Sequence, residues 1–220
     1  MDSFHGIGTN SETFKQQTAA IRYELGDGHT YDFVDGTLPW EMDKDIKEFM
    51  LSDENTFTYY TPTRPETCFS AFNNLEHYLE AEGPYDGVMG FSLGAAFVMS
   101  WMINRIQKQK GNKFAQLPFK VGIFFSNGGP LLDCNDSSGQ SVLPFDPIAI
   151  DGILDIPTAH IWGRCDPEKG NAEFAIRACN QDTRSVFVHE RGHEVPKSAE
   201  NVISAAKVIN RAIARAQGFN

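Results

Sequence analysis

Short apolar runs alternate along the chain with longer stretches whose apolar positions recur at helical spacing. That alternation predicts an α/β fold, a mostly parallel central sheet with helices on both faces. Residues 31–35 (YDFVD) read as a strand ending at Gly36, and 57–60 (FTYY) as a weaker one. Thr63-Arg64-Pro65-Glu66 has the form of a capping box with proline in the first turn, opening a helix that Gly83-Pro84 stops after Glu82. Residues 86–91 (DGVMGF) form a buried strand, and a helix from Leu93 to Lys108 follows without a linker. Residues 119–126 (FKVGIFFS), 158–162 (TAHIW) and 184–188 (RSVFV) are the later strands, and 169–180 and 197–216 are helical.

No repeat, low-complexity tract or domain boundary interrupts the pattern, so residues 1–220 are expected to form one domain. Two segments break the alternation. Residues 37–56 are polar, acidic and interrupted by proline, and 127–156 are rich in Gly, Asp, Ser and Pro. Both are expected to be loops or small lids, the usual carriers of function in such sheets.

The strongest chemical signal is Gly90-Phe91-Ser92-Leu93-Gly94, a G-x-S-x-G between the buried strand and the helix. Small residues at 90, 94, 95 and 96 let the helix pass close to the strand, as a nucleophile elbow requires. The competing reading is a serine N-cap with glycines for tight packing. As a nucleophile, Ser92 needs a base to take its proton and a carboxylate to orient that base. In an α/β-hydrolase the acid and then the histidine follow on loops after later strands. Asp166 follows TAHIW, and His193 follows the last strand.

That last strand runs into HERGH, residues 189–193, which matches the zinc-protease string H-E-x-x-H. A helix must put those two histidines on one face, yet Val186-Phe187-Val188 precedes the string, Gly192 lies inside it and Pro196 follows. No histidine follows His193 as a third ligand. The string is better read as a strand end at His189 and a turn presenting His193. His189 itself is a weaker base, since its place on the strand aims it inward. Asp155 precedes its strand and lies at the wrong sheet end, whereas Asp133, after FKVGIFFS, is the better rival to Asp166. His160 is expected in the core, and His29 and His77 at the surface.

A tetrahedral intermediate needs backbone donors aimed at its oxygen. Leu93 N–H follows the nucleophile, and His5-Gly6-Ile7-Gly8 has the form of the early loop that supplies a second donor, Ile7 N–H. A flexible N-terminal segment with incidental glycines is the alternative. Only four residues precede His5, so the first strand must be very short.

Composition narrows the partners. A net charge of −10 and a pI near 5.0 exclude a nucleic-acid surface. No apolar run approaches the ~20 residues that span a bilayer, and MDSFHGIGTN lacks the pattern of a signal peptide. A soluble cytoplasmic protein is expected. Cys68, Cys134, Cys165 and Cys179 show no paired spacing and are expected as free thiols. Seventeen phenylalanines exceed the six tyrosines and three tryptophans; most belong in the core, and some suit an acyl pocket.

HGIGTNSETF, YDFVDG, EGPYDGVMGFSLGAAF, IPTAHIWGRCDP and GHEVP together resemble the fungal-type serine hydrolases of the α/β-hydrolase superfamily. The resemblance runs nearly end to end and implies Ser92, Asp166 and His193 as the triad, with no metal or organic cofactor. It further implies cleavage of a carboxylic ester or thioester, including release of a polyketide chain from an acyl carrier protein. Leu93 departs from the polar residue, commonly glutamine, found there in that family. An acidic carrier protein would need a local basic patch, for which Arg105, Lys108 and Lys110 are candidates. Two other functions share this fold: an acyltransferase with a non-water acceptor, and a binding protein without catalysis.

Overall fold

The computed structural model describes residues 1–43, 55–64, 66–109, 116–134 and 142–219. In chain order the elements begin with β1 (Asp2–Phe4), α1 (Ser11–Gln17), α2 (Ala19–Leu25), β2 (Asp32–Val34), β3 (Leu38–Pro39) and β4 (Phe57–Thr58). They continue with α3 (Thr67–Glu82), β5 (Gly87–Phe91), α4 (Leu93–Lys108), β6 (Val121–Phe125), β7 (Leu132–Asp133) and β8 (Leu143–Pro144). The last are β9 (Thr158–Gly163), α5 (Lys169–Ala175) with a 3₁₀ turn over Ile176–Ala178, β10 (Arg184–His189) and α6 (Ala199–Ala216).

Six strands form one sheet in the order β10-β9-β6-β5-β1-β2, and every neighbouring pair is parallel. Central strands β5 and β6 are buried along their whole length, which is why they read as continuous apolar runs. One face of the sheet packs under α3 and α4 through Phe72, Leu75, Phe97 and Trp101. The other packs under α1, α2 and α6 through Phe14, Ile21, Val202 and Ile209. β1 has three residues, as the sequence requires, but it is held on both sides by β2 and β5.

Two elements differ from the sequence expectation. Helix α3 begins at Thr67, three residues after the start that a capping box at Thr63 would give it. The Thr67 hydroxyl donates to Arg64 O and accepts from Thr61 N–H, each at 2.8 Å, and so closes a turn ahead of the helix. Helices α1 and α2 were not expected. Asn10 caps α1 by accepting from Thr13 N–H at 2.8 Å. Of the two expected loop segments, 37–56 contributes β3, which pairs antiparallel with β4, and 127–156 contributes the β7–β8 hairpin. Residues 44–54 and 135–141 of those segments lie outside the described residues. No disulfide joins the four cysteines, and only Cys165 is exposed. No helix among the described residues is long and apolar enough to cross a membrane.

Asp2 in β1 is fully buried, and neither carboxyl oxygen has a hydrogen-bond partner among the described residues. Burial raises its pKa to about 7. The folded chain therefore keeps a proton that the unfolded chain, titrating near the usual ~3.9, has lost. Between those two values stability falls as pH rises, by roughly 2–4 kcal/mol in all. Asp2→Asn removes that penalty. Its melting temperature should exceed wild type by about 5–10 °C at pH 8, with little difference near pH 4. Thermal unfolding at the two pH values tests this.

Candidate active site

Ser92 directly follows β5 and caps α4 with φ 53 and ψ −124, a positive-φ backbone that serine adopts only under constraint. The constraint is visible around it. A Cβ on Gly90 would lie 2.7 Å from Ala95 Cα, and one on Gly94 would run into the carbonyls of Phe4 and His5. The strand, the helix and the loop after β1 thus meet at the bend with no room for side chains.

His193 lies in the turn after β10, and its Nε2 is 2.8 Å from Ser92 Oγ. Its Nδ1 is 2.8 Å from Asp166 Oδ2. Asp166, in the loop after β9, is buried, and its other oxygen accepts from Glu168 N–H at 2.7 Å. The carboxylate is thereby fixed at both ends. Asp166 and Ser92 (7% exposed) are both buried, and the His193 side chain between them, 25% exposed, is the most accessible member of the line. Phe91 packs on the His193 ring at 5.2 Å and limits its tilt.

The HERGH string is a strand end and a turn, with no helix to align its histidines. His189 is buried, and its Nδ1 accepts from Arg191 N–H at 3.3 Å. Burial holds its pKa below the ordinary histidine value. His160 is a core residue, 3.1 Å from Thr158 Oγ1 by its Nε2, and burial lowers its pKa to about 3. Asp155 accepts from Asn180 at the opposite sheet end. Asp133 sits in β7, His29 lies beside Met1 and Gly87, and His77 is exposed on α3.

The loop holding Ile7 is firmly anchored. Buried His5 accepts from Gly36 N–H at Nε2 (2.9 Å), so the ring proton is on Nδ1, which donates to Gly6 O at 2.7 Å. Burial lowers the pKa of His5 and keeps it neutral. His5 N–H donates to the Tyr59 hydroxyl, which donates in turn to Val34 O, both at 2.8 Å. Gly8 and Thr9 pair with Phe57. A flexible N-terminal segment does not describe these residues. Neither Ile7 N–H nor Leu93 N–H has an acceptor among the described residues.

A cleft of about 590 Å³ lies between Ile7, Leu93 and the Gly128-Gly129-Pro130 loop. Tyr60 and Leu132 extend its apolar wall, and Glu168 and Asn171 form a polar rim. Sequence reasoning missed Gly128 and Tyr60. A Cβ on Gly128 would collide with Ser92 Oγ and lie 3.1 Å from His193 Cε1. Its signal was available: two adjacent glycines in the loop after a buried strand, at the sheet end where ligands bind.

A parallel sheet clad on both faces, with a strained serine between strand and helix and an Asp–His pair from later loops, defines an α/β-hydrolase. The chain belongs to the serine hydrolase (FSH1) family, whose sequence profile matches residues 3–205. It is 32% identical to Esterase FPY3 of Fusarium mangiferae over 215 residues, covering 96% of this chain and 95% of that one. It is 28% identical to Hydrolase phiM of Fungal sp. (strain ATCC 74256), covering 87% and 84%. The fold is shared with the Bacillus cereus carboxylesterase at a TM-score of 0.57 and 12% identity, covering 96% and 87%. It is also shared with Arabidopsis thaliana SOBER1 at 0.55 and 13%, covering 96% and 97%.

Proposed function

We propose that this serine hydrolase, a single α/β domain, cleaves a carboxylic ester or thioester through an acyl-enzyme on Ser92, with no metal or organic cofactor. The observation that carries the reading is the unbroken line from Asp166 through His193 to Ser92 Oγ, both links 2.8 Å long. Ser92 Oγ bonds to the carbonyl carbon as its proton passes to His193 Nε2. Asp166 holds the imidazole in the productive tautomer and stabilises its charged form. The carbonyl oxygen, now negative, is received by Leu93 N–H and Ile7 N–H. Collapse of the intermediate expels the alcohol or thiol, which takes the proton from His193. Water then attacks by the same route and frees the acid.

The apolar wall supports an apolar acyl group, and the names of the relatives support an ester. Release from a carrier protein finds less support. Arg105 is engaged by Glu76 and stacked over Trp101, whereas Lys108 is exposed; Lys110 lies outside the described residues. A small-molecule ester is the favoured substrate. Equal turnover of one acyl group as a small thioester and on a carrier protein would go against this preference.

A fluorophosphonate probe read by intact mass tests the reading. Wild type should gain one adduct, Ser92→Ala none, and His193→Ala should label about 10³-fold more slowly or less. Failure of folded wild type to label would overturn it.

A further inference from the structure

Tyr60 is almost fully buried in the aromatic group around Phe97, with ring centroids 6.4 Å apart. Its backbone is pinned, since Thr58 Oγ1 donates to Tyr60 O at 2.8 Å. Its hydroxyl makes no hydrogen bond to the described residues and is not among their fully buried unpartnered polar atoms, so it stays open to the cleft. It faces the cleft, 3.7 Å from the place a Cβ on Gly129 would occupy. The neighbouring Tyr59 differs, with its hydroxyl both accepting and donating. Burial raises the Tyr60 pKa, so the phenol stays protonated and remains a donor.

Water in the open cleft serves this hydroxyl, and any occupant must replace that hydrogen bond or leave the donor unpaired at a cost. An unsubstituted alkyl chain filling this cleft strips the hydroxyl of water and offers nothing in return. A chain with an oxygen at that point accepts its proton. We propose that Tyr60 Oη is a specificity-determining donor that selects acyl groups carrying a keto or hydroxyl oxygen a few carbons beyond the scissile carbonyl. Geometry bounds the position. Gly128 abuts Ser92 Oγ and Gly129 approaches the Tyr60 hydroxyl. With adjacent Cα atoms about 3.8 Å apart, these contacts keep the hydroxyl within roughly 13 Å of the nucleophile. Leu93, Leu132 and Ile7 supply the apolar remainder of the wall, and none of these side chains competes for the proton.

The inference rests on Ser92 being the nucleophile, so the experiment separates the two. Methyl esters of octanoic, β-oxo-octanoic and δ-oxo-octanoic acid are compared in wild type and Tyr60→Phe, beside fluorophosphonate labelling of both. At least one oxo ester should exceed octanoate in kcat/KM for wild type. In Tyr60→Phe that ratio should fall about ten- to hundredfold. Equal ratios in the two proteins, with Ser92 labelled and octanoate hydrolysed, would overturn the role of Tyr60 and leave the hydrolase reading intact. Binding of the corresponding free acids, measured by calorimetry, needs no turnover. Tighter binding of an oxo acid than of octanoate, lost in Tyr60→Phe, supports the inference even if no ester is cleaved; equal binding overturns it.

Discussion

Ser92→Ala should lower kcat for ester hydrolysis by about 10⁴- to 10⁶-fold, with KM changed far less. The hydroxyl is the only atom removed, and the cleft walls at Ile7, Leu93 and Leu132 remain. Asp166→Asn should cost about 10⁴-fold. An amide there presents N–H to His193 Nδ1 or leaves it unpaired, and so favours the tautomer that cannot take the serine proton. The Ser92→Ala/Asp166→Asn double variant should be no slower than Ser92→Ala, because the two residues act in one step. A merely structural line of hydrogen bonds would behave otherwise, with small rate effects and losses of stability that add. Ser92→Gly sharpens the distinction. At φ 53 and ψ −124 glycine relieves strain that serine bears, so this variant should be inactive yet more stable by about 1 kcal/mol. Urea unfolding and initial rates on one set of proteins decide between the readings.

The parts of the fold that were legible are those whose signals are local. Helix α4 runs from Leu93 to Lys108 as expected, because an apolar, proline-free run between Gly90 and Gln109 specifies it without outside help. HERGH resolved into strand and turn because its own flanks, Val186-Phe187-Val188 and Gly192, contradict a helix. Helices α1 and α2 escaped notice since each rests on few core side chains, Phe14 and Ile21 being seven residues apart, too sparse a stripe to read. The start of α3 was misplaced because the Thr67 hydroxyl bonds back to Thr61 and Arg64 and holds a turn ahead of the helix, a local alternative to the cap read at Thr63. Ser92, Asp166 and His193 could be nominated from strand ends, but their common line depends on the register of β5, β9 and β10. The importance of Gly128 and Tyr60 is not local at all. Each matters through an atom brought to it by the sheet, and no short window of sequence contains both partners.

Gly128→Ala is the severest test of that non-local fit. The new methyl would occupy the space of Ser92 Oγ and crowd His193 Cε1, so either the serine rotates off its base or the loop after β6 withdraws. Both movements break the near-attack geometry, and a misplacement of about 1 Å already costs on the order of 10²-fold in rate. Ester hydrolysis and fluorophosphonate labelling should each fall by at least that factor. The fold should survive, since Gly128 has no positive φ to forbid alanine and itself lines the cleft, outside the packed core. Gly129→Ala supplies the contrast. Its Cβ would meet Leu93 Cδ1 at 3.3 Å and Ala96 Cβ at 3.5 Å, side-chain atoms one of which can turn aside. Labelling there should change far less, while the space beside Tyr60 shrinks and acyl preference shifts. If the two alanine variants label at equal rates, Ser92 is not held where the 2.8 Å contact with His193 places it, and the proposed acyl-enzyme loses its geometric basis.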